Sequence, residues 1–192
     1  MADPVLIACL GNPGSAYEQT RHNVGFMVAD ELSRRFGVRF RPGRGDYERA
    51  TGGPGGRTVY LIKPVTFMND SGAAVADALA ETGLTTGALL VVLDDFQIPL
   101  GALRMRPKGS DGGHHGLASV LATLGTDEIP RLRCGIGRED MPAGSGKRQF
   151  VLSSFEPEEL PAARAMVARA ADAAETFAAS GIDRAMTDYN TQ

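Results

Sequence analysis

Apolar and polar positions along the chain fall into short blocks that switch between uninterrupted runs and helical spacing. Val5 to Leu10 is an apolar run closing on Gly11-Asn12-Pro13-Gly14, the pattern of a strand followed by a tight turn. Val24, Met27, Val28, Leu32 and Phe36 recur at three- and four-residue intervals, which predicts a helix from about His22 to Phe36 with His22 at its start. Residues 41–56 are rich in Gly and Arg and suggest a strand only over Tyr47 to Ala50, so they read as a surface connection or hairpin. Thr58 to Ile62 reads as a strand, Thr66 to Asn69 as a loop and Ser71 to Glu81 as an Ala-rich helix. Leu89 to Leu93 has the pattern of a buried central strand whose end delivers Asp94 and Asp95. A further strand is expected within Leu100 to Met105, a helix from the Gly109–Gly116 segment through Leu124, and a strand over Leu132 to Ile136. Leu160, Ala163, Val167, Ala170, Ala174 and Phe177 mark a long amphipathic helix.

Strands alternating with helices predict an α/β fold: a twisted, mostly parallel mixed sheet with helices on both faces. At 192 residues the chain has the size of one domain, expected to span 1–192. Ligands of such sheets gather where loops leave the carboxyl ends of strands. The loops carrying Asn12, Asn69 and Asp94 each follow a predicted strand, so they are expected to converge on one crevice.

Composition narrows the partners. Hydrophobic residues at 43% and charged residues at 22% are ordinary for a globular protein. A net charge of -3 excludes a uniformly basic polyanion-binding surface, so any nucleic-acid contact must be a local patch. Residues 101–150 carry eight Lys or Arg against five Asp or Glu, whereas residues 151–192 carry three against seven. Cys9 and Cys134 each lie in a strand-like apolar stretch without metal or redox spacing, and are expected to be buried, reduced thiols. The chain shows no basic leader followed by an apolar segment and no run of about 18 apolar residues, from which a cytoplasmic location is expected.

His22 has the side chain best suited to accept a proton at neutral pH, although a lone histidine is more often structural. A carboxylate ending the Leu89–Leu93 strand is suited to hold that imidazole in the useful tautomer; alone, Asp94 and Asp95 read more readily as strand caps. Acid and base chemistry by the two aspartates together is disfavoured, because adjacent strand residues point to opposite faces. Asn12 and Asn69 offer neutral amides that both donate and accept, or simply form turns. Gly11 to Gly14 lacks the spacing of either phosphate-binding glycine loop, and the consecutive His114 and His115 lack zinc-ligand spacing. Arg104, Arg106 and Lys108 alternate at period two; with Arg131 and Arg133 they read either as a phosphate-binding patch or as a solvated strand edge.

Taken together, GNPGSAYEQTRHNVGF (Gly11 to Phe26), KPVTFMNDSG (Lys63 to Gly72), Asp94-Asp95 with Pro99 and Gly101, GSDGGHHGLASV (Gly109 to Val120) and RLRCGIGR (Arg131 to Arg138) resemble, in order and spacing, the signatures of bacterial-type peptidyl-tRNA hydrolases. The resemblance implies an enzyme that needs no cofactor or metal. In it His22 is the base, Asp94 orients it, Asn12, Tyr17, Phe67, Asn69 and His115 contact substrate, and Arg106 and Arg133 hold tRNA phosphate. The implied partner is peptidyl-tRNA, engaged through its acceptor stem and its peptide, by a chain expected to act as a monomer. His115 stands where the family typically has asparagine, and Leu93 where many relatives have histidine. The rival readings are a non-catalytic RNA-binding protein of the same fold and a small-molecule esterase.

Overall fold

Strand β1 (Val5–Cys9) is buried at every position, as expected for a strand covered on both faces. In the computed structural model, which describes residues 3–141, 144 and 146–190, it lies near the middle of a seven-stranded sheet. The ends of the expected 1–192 span, and residues 142, 143 and 145, lie outside the described residues. The other strands are β2 (Arg41–Pro42), β3 (Tyr47–Gly52), β4 (Val59–Pro64), β5 (Leu89–Pro99), β6 (Leu103–Arg106) and β7 (Arg131–Gly137), in the order β2-β3-β4-β1-β5-β7-β6. The central pairs β4–β1, β1–β5 and β5–β7 are parallel, and the outer ones antiparallel. The helices are α1 (Val24–Phe36), α2 (Ser71–Thr82), α3 (His115–Leu124), α4 (Gly146–Val151) and α5 (Leu160–Tyr189), the last broken at Gly181.

The two-residue period of β1 sorts the core into two layers. Val5, Ile7 and Cys9 pack with Val28 and Leu32 of α1 and Ala170 and Ala174 of α5. Leu6, Ala8 and Leu10 pack on the other face with Val75 and Leu79 of α2 and Leu117 and Val120 of α3. Both cysteines are buried and unbridged, and burial pushes the Cys9 thiol up to about 12. Among the described residues no helix is long and apolar enough to cross a membrane.

Three elements depart from expectation. Within 41–56 the expected strand and hairpin are present, but β3 runs on to Gly52 and also pairs antiparallel with β4 over its whole length, with Tyr47 and Ala50 turned inward. Strand β5 does not stop at Leu93: β1 pairing ends at Val92, but β7 pairs onward through Asp94 and Asp95 and again at Pro99, past an irregularity. The two aspartates therefore lie inside a strand and not at its tip. Helix α4 was not expected, since six residues offer too little pattern to read.

One close approach sets the position of the site. A β-carbon at Gly25 would overlap the carbonyl oxygens of Leu10 and Val92, so glycine lets the first turn of α1 rest directly on the end of β1 and on β5 where its pairing with β1 stops. His22, three residues earlier, is thereby held over the same point of the sheet.

Candidate active site

His22 lies in a short 3-10 turn, Arg21–Asn23, leading into α1. Both flanking residues are fully buried polar groups. The Asn23 amide pairs twice with the backbone of Asn12, accepting from its N–H at 2.9 Å and donating to its carbonyl at 2.9 Å. Between two such anchors the imidazole is left 14% exposed, facing the crevice, with its Nδ1 2.7 Å from Asp94 Oδ1.

Asp94 is 2% exposed, and the same Oδ1 is met by a second imidazole, His114 Nε2, at 3.0 Å. His114 is the N-cap of α3, where its Nδ1 accepts from the backbone N–H of Leu117 at 3.1 Å. A neutral imidazole carries one proton, so an accepting Nδ1 puts the His114 proton on Nε2, where it donates to Asp94. An ionised carboxylate only accepts, so His22 must donate through Nδ1, which leaves the lone pair of neutral His22 on Nε2. Burial pushes the Asp94 carboxyl up, but the charges and hydrogen bonds of His22 and His114 outweigh it and hold the group well below the usual carboxylate range. The alternation argued from sequence holds: Asp95 turns instead to Arg133 Nη1, at 3.2 Å.

His22, Asp94 and His114 offer ligand atoms within 4.8 Å of one another, a metal-like spacing that consecutive histidines in the sequence gave no reason to expect. The cap bond bears on that possibility: while His114 Nδ1 accepts from Leu117, its Nε2 holds a proton in place of a free lone pair.

A cavity of about 660 Å³ opens onto His22. Asn12, Tyr17, Phe67, Asn69, Asp94, His115 and Arg133 all line it, whereas Arg106 does not. Asn12 is 7% exposed and its Oδ1 accepts from Met68 N–H at 2.9 Å, which fixes the amide and leaves its Nδ2 donor unpaired among the described residues. Asn69 and His115 are exposed, and Phe67, 60% exposed, stands at the mouth. Asn12 and Asn69, which follow β1 and β4, thus meet Asp94 on one crevice as the strand pattern implied, although Asp94 lies within β5 and not on a loop after it.

A family model described as peptidyl-tRNA hydrolase matches residues 6–192. The chain belongs to the peptidyl-tRNA hydrolase family. It is 44% identical to the peptidyl-tRNA hydrolase of Chlorobaculum parvum over 96% of this chain and 97% of that one. To the peptidyl-tRNA hydrolase of Salinibacter ruber it is 46% identical, over 99% and 100%. The crystal structure of peptidyl-tRNA hydrolase from Acinetobacter baumannii superposes with a TM-score of 0.91 at 28% identity, covering 100% of this chain and 96% of that one.

In this member of the peptidyl-tRNA hydrolase family the basic residues divide into two kinds. The β6–β7 register sets Arg104 opposite Arg133 and Arg106 opposite Arg131, on one face. Arg131 is not a surface cation as the period-two reading allowed. It is fully buried, donating to the carbonyls of Gly109, Ser110, Asp127 and Ile129, and burial followed by the Arg133 charge lowers it to about 10. Arg133 is tied to Asp95 and to the Ser110 carbonyl. Arg106 is exposed, and its guanidinium has no carboxylate partner among the described residues.

Sequence reasoning missed His114, Asn23, and Lys147 and Arg148 of α4, which add cationic groups to the cavity wall. His114 and Asn23 lie beside residues that were singled out, but nothing in a linear pattern says which neighbour turns inward.

Because the Asp94 carboxyl titrates below its unfolded value of about 3.9, its contribution to stability is present above that value and is lost as pH falls through the folded one. The stability difference between wild type and Asp94→Asn is therefore expected to narrow as pH drops below about 4 in urea titrations. A gap that instead widens toward acid would contradict the environment described for this carboxylate.

Proposed function

We propose that this chain hydrolyses the ester joining a peptide, or an N-blocked aminoacyl group, to the 3′-terminal ribose of a tRNA, and so returns the tRNA for reuse. The observation that carries the reading is the oriented pair His22–Asp94 at the floor of a cavity lined by the amides of Asn12 and Asn69, in a chain of the peptidyl-tRNA hydrolase family.

In the proposed reaction His22 Nε2 removes a proton from water as the water oxygen bonds to the ester carbonyl carbon. Asp94 accepts the hydrogen bond from Nδ1–H throughout, which keeps the ring turned and stabilises the imidazolium that forms. Asn69 or a backbone amide donates to the oxyanion, and the fixed Nδ2 of Asn12 donates to substrate. The carbon–oxygen bond to the ribose then breaks, and His22 returns its proton to the departing hydroxyl. Water is the nucleophile, so the sequence of steps needs neither a covalent enzyme intermediate nor a cofactor or metal. Tyr17 and Phe67 supply apolar wall. His115 takes the position of the family asparagine as a neutral group that both donates and accepts.

Arg106 and Arg133 are assigned to tRNA phosphate, for which planar guanidinium groups suit bidentate contact. Arg106 carries the larger share in this reading, because Arg133 already engages Asp95. The proposal assigns the reaction to a monomer, since a tRNA needs a large exposed face, and to the cytoplasm. It treats residues 1–192 as one functional unit.

His22→Ala is expected to lower the rate on N-acetyl-aminoacyl-tRNA by about 100- to 10,000-fold while leaving tRNA affinity nearly unchanged. Wild-type turnover by the folded variant would remove His22 from the mechanism. Arg106→Ala is expected to weaken full-length tRNA binding and flatten its salt dependence, with little effect on a short peptidyl-adenosine substrate. Equal losses on both substrates would rule out a grip on the distant phosphate.

A further inference from the structure

Arg21 is 1% exposed, adjoins His22, and has no part in the chemistry described above. Among the described residues, the hydrogen-bond partners of its guanidinium all lie more than 130 residues away in sequence. Its Nη1 donates to Ser153 Oγ at 2.6 Å and to the Ser154 carbonyl, and its Nη2 donates to Glu159. The guanidinium carbon stands 4.5 Å from the ring centre of Phe150 and 5.2 Å from that of Phe155. The backbone repeats the link: Arg21 N–H donates to the Ser153 carbonyl at 3.0 Å, and Thr20 forms an isolated antiparallel bridge with Ser154.

The segment so held includes the end of α4 and the residues after it, and Lys147, Arg148, Val151 and Leu152 form part of the cavity wall. His22 is therefore fastened through both chain neighbours: Asn23 ties it to the β1 loop, and Arg21 ties it to the α4 wall. A buried guanidinium has strict needs, since any hydrogen-bonding or charged partner it loses goes uncompensated. A surface ion pair would not impose one geometry; this arrangement does.

We infer that Arg21 is a positioning residue, which locks the turn carrying His22 to the α4 wall so that base and substrate meet in one fixed geometry. The inference rests on the reading of His22 as the base. Lysine at position 21 keeps a charge but loses the fork and the stacking on Phe150 and Phe155.

The test compares kcat on N-acetyl-aminoacyl-tRNA, well below each protein's melting temperature, in six proteins: wild type, Arg21→Lys, Ser153→Ala, Arg35→Gln, His22→Ala and the double variant Arg21→Lys/His22→Ala. Displacing a catalytic group by about 1 Å costs on the order of 100-fold, so Arg21→Lys is expected to lower kcat by about 10- to 100-fold. Ser153→Ala, which removes one of the bonds and keeps the charge pair, is expected to lower it by about two- to fivefold, and it serves if the lysine variant does not fold. Because Arg21 acts through His22, Arg21→Lys should cost nothing further in the His22→Ala background. Arg35→Gln, which breaks an α1–α5 network away from the cavity, controls for stability alone and should leave kcat unchanged. If Arg21→Lys and Ser153→Ala keep wild-type kcat, if Arg35→Gln lowers it equally, or if Arg21→Lys loses the same factor without His22, the inference is wrong. A fully active His22→Ala would overturn the underlying reading as well, which separates the two failures.

Discussion

One carboxylate oxygen, Asp94 Oδ1, receives hydrogen bonds from two imidazoles that approach from elements on opposite faces of the sheet. A buried carboxylate without such donors would be costly to ionise, and an un-ionised one would not orient His22. The two donors are not equivalent. His114 is fixed by its role as the N-cap of α3, and its tautomer follows from the backbone it caps. That leaves His22 as the imidazole whose second nitrogen has no partner among the described residues. The start of α3 also brings the positive end of a helix dipole toward the carboxylate, in the same direction as the hydrogen bonds.

The fold supplies this arrangement at low cost in irregular backbone. Strand β1 ends beside the middle of parallel β5, Gly25 allows α1 to begin on top of that point, and β7 keeps pairing with β5 beyond the end of β1. Asp94 thus sits on a strand that is still hydrogen-bonded on one side, rigid where a loop residue would be mobile. Asn12 closes the floor by bonding across to Met68, so the loops after β1 and β4 are tied to each other. The cationic groups stand outside this floor, on the β6–β7 edge and on α4.

Much of this was legible in the residues. Apolar runs and helical spacing located β1, β4, β5, β7, α1, α2, α3 and α5, and the rule that ligands gather at strand ends brought Asn12, Asn69 and Asp94 together. The signatures carried the family, which single residues could not. What was hidden depended on contacts distant in sequence. His114 and His115 are adjacent in a glycine-rich segment, and only the way α3 docks decides that the first is buried and the second exposed. Arg131 alternates with Arg133, yet the loops at Gly109 and Asp127 close over it and take its donors. Nothing in the linear sequence sets Arg21 apart; its burial comes from Phe150, Phe155 and Glu159, more than 120 residues away. Strand β5 continues through Asp94 and Asp95 because β7 pairs with it, not because its own residues favour a strand.

The central claim is that the two histidines on Asp94 hold opposite tautomers, and nitrogen-15 NMR of the imidazole rings in the free protein near pH 8 reads it directly. The account predicts that His22 carries its proton on Nδ1, with an unprotonated Nε2, and that His114 carries its proton on Nε2, with an accepting Nδ1. Finding the His22 proton on Nε2, or the His114 proton on Nδ1, would contradict it.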